Sequence, residues 1–117
     1  MTEPLIFNTA EVARFSDAKM QKVNLHESPR MICDVYCLKP GQEQKPHLHE
    51  TEEKVYHVLT GSCRVILAGQ TLPLEAGHTA IAPPGVMHGI RNDSDAPATV
   101  LVFMAPHPRL SLIHISE

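Results

Sequence analysis

The sequence predicts an all-β protein built as a small antiparallel barrel, and three observations carry that prediction. Ten prolines and six glycines are spread along the chain as punctuation. Between them lie short runs rich in Val, Ile, Leu and Thr, the composition of pleated, half-buried strands. These runs recur at roughly 8–12-residue spacing with turn signals between them, the rhythm of a sandwich or barrel. A length of 117 residues suits one domain, on a scale of about 100–200 residues per domain. A chain of that size buries roughly two-thirds of its unfolded surface, so it folds without disulfides or a structural metal.

Taken in order, Asn8–Arg14 is the one helical turn, followed by strands over Met20–His26, Arg30–Leu38, Pro46–His49, Lys54–Thr60 and Cys63–Ala68. Gln70–Leu74, Thr79–Ala82, His88–Arg91 and Ala98–Ala105 complete the set. Turns fall at Pro40-Gly41, Gly61-Ser62, Gly69-Gln70, Glu75-Ala76-Gly77 and Pro83-Pro84-Gly85, where Gly supplies φ > 0 and Pro presets φ. No linker or low-complexity stretch interrupts the series, so residues 1–117 form a single domain. Pro106-His107-Pro108 must leave the ladder, because neither proline can donate a hydrogen bond. Residues 109–117 read either as a strand donated to a partner subunit or as a tail foreign to the natural chain.

Composition narrows the function. Lys+Arg total 10 against Asp+Glu 13, which leaves no broad basic footprint for duplex nucleic acid or an anionic membrane. Three Phe, two Tyr and no Trp are too few stacking platforms for a single-strand binder. No apolar run is long enough to span a membrane, and the acidic start Met1-Thr-Glu-Pro lacks a signal peptide's basic and apolar regions. A cytoplasmic location is expected. Cys33 and Cys37 lie four apart in one strand, ~13 Å between Cα atoms, beyond disulfide reach. With Cys63 they read as reduced, small apolar residues.

Eight histidines are many for this length. His47 and His49 form His-x-His in a β-type run, which puts both imidazoles on one face about 6.5–7 Å apart at Cα, able to share an ion. Glu50, Glu52 and Glu53 follow, offering a hard oxygen ligand. Further on, Pro83-Pro84-Gly85 makes a sharp turn after which His88 starts a strand and brings a third imidazole. His57 lies on the face opposite Lys54, Tyr56 and Val58, and so points outward or to a subunit contact. Tyr36, Arg64 and Met87 read as core or surface before cavity, and His26, His78, His107 and His114 as structural or surface residues.

Gly41-x5-His47-x-His49 leading to Gly61, with Gly77-x5-Pro83-x-Gly85-x2-His88-x3-Asn92, resembles the two motifs of the cupin superfamily, and the second matches in full. The resemblance spans residues 41–92 and implies a double-stranded β-helix that holds one divalent metal ion (Fe, Mn, Ni or Zn) on His47, His49 and His88. A carboxylate of the first motif usually joins as fourth ligand. Here the family's glutamate position, counted back from Gly61, is Lys54. Glu53 stands one residue early, and since a one-residue slip turns a side chain to the other face it reaches the metal only through a bulge. Glu53 is the expected fourth ligand, because an ammonium beside a divalent ion is repelled. The other register, with Lys54 inward, leaves a three-histidine centre or a barrel without metal, and gives the lysine a partner in Glu53 or in a ligand's carboxylate.

The resemblance implies a metal-dependent enzyme acting on a small polar or anionic molecule, by dioxygenase, isomerase or lyase chemistry. The competing reading is a non-catalytic cupin that binds a small molecule or metal. No residue is assigned a catalytic role beyond the ligands. A small-molecule ligand and a second copy of the chain, in a symmetric homodimer, are the expected partners.

Overall fold

The computed structural model describes residues 5–110. A single turn of helix, α1 (Thr9–Val12), starts at Asn8, whose side chain accepts hydrogen bonds from the backbone N–H of Ala10 and Glu11. Nine strands follow: β1 (Gln21–Ser28), β2 (Met31–Leu38), β3 (Glu43–His47), β4 (Glu53–Thr60), β5 (Ser62–Leu67), β6 (Gln70–Glu75), β7 (Thr79–Ala82), β8 (His88–Arg91) and β9 (Ala98–Ala105). They form a five-stranded sheet in the order β1-β2-β9-β4-β7 and a four-stranded sheet in the order β3-β8-β5-β6. Every pairing is antiparallel.

Every expected strand is present; Thr79–Ala82, His88–Arg91 and Ala98–Ala105 match at both ends, and the other strands have at least one end shifted by one to three residues. The largest shift is in β3, which ends at His47, so His49 lies beyond the strand. Pro46 is the local cause. It has no N–H for the ladder, and the β3–β8 register slips between Gln44 and His47. Opposite that slip sits Gly89, where a Cβ would stand 2.7 Å from the Gln44 carbonyl oxygen and 2.9 Å from Pro46 N. Any larger residue there would push β3 away from β8.

Side chains alternate across β4, so Lys54, Tyr56 and Val58 face inward while Val55 and His57 turn away. Tyr36, Leu38, Tyr56, Val58, Val65, Leu74, Ile90 and Val100 fill the space between the sheets. Each fully buried Val or Leu contributes about 1.5–3 kcal/mol by transfer from water. Cys37 and Cys63 belong to this interior, Cys33 is half-buried, and all three thiols are free. Asn92, the last residue of the second motif, is fully buried and structural. Its Nδ2 donates to the carbonyls of Leu38 and Ala96, and its Oδ1 accepts from Ser94. The expected donated strand or foreign tail falls, from residue 111 on, outside the described residues.

Candidate metal centre

His47 and His88 are direct partners across the β3–β8 ladder, with ring centroids 4.4 Å apart. His49 joins them from the link after β3, its centroid 5.0 Å from that of His47 and 5.6 Å from that of His88. The sharp turn before β8 brings the second motif to the first. Gly85 adopts φ +82°, open to glycine at no steric cost, and its N–H donates to the His49 carbonyl at 2.8 Å. One ring nitrogen from each imidazole lies within 4.8 Å of the others.

The hydrogen bonds decide which nitrogen each ring offers. His47 Nδ1 lies 2.9 Å from the Lys45 carbonyl and His88 Nδ1 lies 2.8 Å from the Val86 carbonyl. A carbonyl only accepts, so both Nδ1 atoms carry the proton and both Nε2 atoms keep a lone pair. His49 Nδ1 faces the buried carboxylate of Glu52 at 3.2 Å, the oxygen partner that a ligating histidine ordinarily has on its second nitrogen. His88 Nε2 is buried with no hydrogen-bond partner among the described residues. Such an orphan costs free energy unless something coordinates it. Burial holds the His47 imidazole down to about 4, helped by the positive charge of Lys54, and burial likewise lowers His88. Neutral rings with free lone pairs are the donor set that a divalent transition metal takes.

The expected fourth ligand does not join them. Glu53 is exposed, on the opposite face of β4 from the buried Lys54, and it is absent from the histidine group. The β4 register against β9 runs unbroken from Glu53 through Val58 and slips only between Val58 and Thr60, so no bulge separates Glu53 from Lys54 and the two face opposite ways. Lys54 thus occupies the inward position. Its Nζ donates to Gln44 Oε1 at 2.8 Å and sits 5.3 Å from the Tyr36 ring centroid and 5.2 Å from that of Tyr56. Gln44 is the hub of this network, since its Oε1 also accepts from Tyr56 Oη and its Nε2 donates to Tyr36 Oη. Burial pushes the Lys54 ammonium down to about 7, and the charge of Lys22 adds to the effect.

Beside the histidines opens a cavity of about 610 Å³, lined by His47, His49, Tyr36, Gln44, Lys54 and Asp34 among others. Three features of the site carry no motif in the sequence. Glu52 is one acid in a run of several, and only the backbone path brings it to His49; Gln44 and Asp34 have no marked spacing at all. Gly89 does leave a signal, for a glycine inside a strand marks close backbone approach. Of the other side chains weighed from sequence, His57 lies on the outer face with its Nδ1 2.7 Å from Thr79 Oγ1, while Arg64 pairs with Asp93 and Met87 is exposed. His26 is exposed, His78 Nδ1 accepts from the Glu75 N–H, and His114 lies outside the described residues.

Residues 34–104 match the family model of the cupin domain. The chain belongs to the cupin family, and its double-stranded β-helix is that family's fold. Its backbone superposes on the TT1209 protein of Thermus thermophilus with a TM-score of 0.87 and 42% identity, covering 90% of this chain and 100% of that one. An uncharacterized conserved protein with a double-stranded beta-helix domain from Klebsiella pneumoniae gives a TM-score of 0.82 and 30% identity over 89% of this chain and 91% of that one. Among curated relatives, the polyketide synthase CurC of Streptomyces cyaneus is 32% identical over 79 residues, 67% of this chain and 51% of the relative. The chain thus spans about half the length of that relative.

Proposed function

We propose that this cupin is a metal-dependent enzyme acting on a small anionic molecule, with one divalent ion on His47, His49 and His88. The observation that carries the reading is the orphaned, buried Nε2 of His88, in the same group as the nitrogens of His47 and His49. The carbonyls of Lys45 and Val86 fix the tautomers of His47 and His88, and Glu52 faces the second nitrogen of His49. A metal bound there supplies a Lewis acid that polarises a substrate oxygen. Three protein ligands and no carboxylate leave positions open for substrate. Lys54 supplies an ammonium beside those positions, its Nζ donating to the neutral amide oxygen of Gln44 with no carboxylate in ion-pair reach among the described residues, and a ligand carboxylate fits that need. The network of Gln44, Tyr36 and Tyr56 holds the lysine in place. Isomerase, lyase and dioxygenase chemistry all use such a centre, and a cytoplasmic location suits a small enzyme of this kind.

Calorimetric titration of the apo protein with Mn²⁺ or Zn²⁺ tests the centre. The wild-type chain should bind one ion. His88→Ala should bind at least about 100-fold more weakly while keeping the β circular-dichroism spectrum, because burial stabilises the barrel. Equal affinity in the two proteins would remove the three-histidine centre. The homodimer stands as a proposal on a separate observation: Ile81, Val55 and Phe103 lie side by side across β7, β4 and β9, with Ile81 55% and Phe103 36% exposed. Light scattering should return twice the 12.9 kDa chain mass, and a monomer at micromolar concentration would reject the dimer.

A further inference from the structure

The charges around the cavity do not balance. Three cations line it: Lys54 from β4, Lys22 from β1, and Arg109 from the turn after β9. Among the described residues, no carboxylate lies within ion-pair distance of any of the three. Two carboxylates line the same cavity, and both have protein partners. Asp34 accepts a hydrogen bond from Asn24 Nδ2 at 2.8 Å, and Glu27 Oε2 is 3.1 Å from His107 Nε2. Lys54 is nine-tenths buried and more, at 1% exposure. Burial disfavours the Lys54 ammonium and the nearby charge of Asp34 offsets this only in part, so a ligand's carboxylate supplies the counter-charge that the lining lacks.

The placement of the third cation is built rather than incidental. His107 is fully buried, and its Nδ1 accepts from the backbone N–H of both Arg109 and Leu110 at 3.0 Å. That leaves the proton on Nε2, which donates to Glu27. The His107 N–H donates in turn to the Pro29 carbonyl. The turn bearing Arg109 is therefore pinned to β1 and to the β1–β2 turn, with Arg109 at the cavity rim. Lys22 sits with its Nζ 5.4 Å from the centroid of the Tyr36 ring, the ring that also flanks Lys54.

From these placements we infer that the cavity takes a small dicarboxylate, one carboxylate reaching Lys54 beside the histidines and the other held at the rim by Arg109 and Lys22. This deepens the proposed anionic substrate and rests on that reading for the inner carboxylate alone. Two parallel bonds from a planar guanidinium suit a carboxylate and a phosphate alike, so the assignment of a carboxylate to the rim rests on the lack of a phosphate cradle. The usual phosphate cradle of a helix N-terminus is missing there, α1 lying outside the lining.

The experiment is a calorimetric comparison on the full chain, with and without Mn²⁺. The probes are malonate, succinate, glutarate and adipate, each against the monocarboxylate of equal carbon number, with 3-phosphonopropionate as the phosphorus counterpart. At least one dicarboxylate should bind about 10-fold or more tightly than its monocarboxylate. Arg109→Gln should abolish that preference while sparing monocarboxylate binding, and Lys54→Met should weaken both classes. Should no dicarboxylate exceed its monocarboxylate, or should Arg109→Gln keep the preference, the inference is overturned. Tighter binding of the phosphonate than of every dicarboxylate overturns it as well. The metal reading is judged separately: failure to bind Mn²⁺ rejects the centre, whereas a dicarboxylate preference that persists without Mn²⁺ still supports the two cationic poles.

Discussion

The same strands build two unlike halves of one interior. Toward one end β2, β4 and β9 turn Leu38, Val58 and Val100 inward, to meet Ile90, Val65 and Leu74 from the other sheet. Toward the other end β2 and β4 turn in Asp34, Tyr36, Lys54 and Tyr56, facing Gln44, His47 and His88. The first half is apolar and closes on itself. The second keeps a buried lysine and an imidazole nitrogen that has no partner among the described residues, both of which oppose folding. Stability is therefore concentrated at the apolar end, and the polar end is a chemically poised region that the rest of the barrel holds in shape.

The sharpest way to break this contrast is to open the apolar end. Leu38 is fully buried, so Leu38→Ala should destabilise the chain by about 2–5 kcal/mol through lost transfer energy and a residual cavity. Urea unfolding measures it. A cost no larger than that of an exposed site such as Leu72→Ala would mean that the two halves do not divide the labour.

The polar end should respond in the opposite sense. Lys54 has a folded value of about 7 against its ordinary 10.5. Below pH 7 both states hold the proton, and the native state bears the full cost of the buried charge. Between pH 7 and 10.5 the native lysine is neutral while the unfolded one stays charged, so the unfolded state binds more protons and stability rises with pH. The slope approaches about 1.4 kcal/mol per pH unit. Lowered His47 and His88 contribute below their ordinary 6.5, outside this window. Lys54→Met should flatten the rise and be more stable than the parent at about pH 6. Urea titrations of the apo protein at about pH 6, 7.5 and 9 read this out, and a wild-type curve that stays flat across the upper two would reject an unpaired buried ammonium.

A smaller effect separates neighbouring acids. Glu52→Gln should weaken divalent-metal binding by about 10–100-fold, the usual cost of losing a carboxylate that orients a ligating histidine. Glu53→Gln should change it by less than about 2-fold, since an exposed group outside the histidine cluster gives up only screened electrostatics. The reverse pattern in metal titrations would return Glu53 to the site and place the β4 register in error.

Local physics explains which features are legible in the chain alone. Strand composition and Gly/Pro punctuation mark the elements because each acts within a few residues, and all nine strands are legible on that basis. The three histidines are legible because the His-x-His spacing and the turn before His88 are local as well. Sequence also poses the alternative at residues 53 and 54, since alternation allows only one of them to face inward. It cannot choose between them: the choice depends on where β4 carries a bulge, and its pairing with β9, a strand distant in the sequence, puts the slip between Val58 and Thr60, beyond the stretch that turns Lys54 inward.

What only the tertiary structure decided has this non-local origin throughout. Glu52 faces His49 because the chain turns back immediately after β3. Gln44 becomes the hub for Lys54, Tyr36 and Tyr56 because two sheets face each other across the barrel. Arg109 reaches the cavity because His107 and Glu27, 80 residues apart, meet at its rim. The sequence by itself determined the strands and the imidazoles, both set by short-range sterics and periodicity. The partners, protonation states and charge balance of those groups depend on desolvation and on contacts distant in the chain, and only packing supplies them.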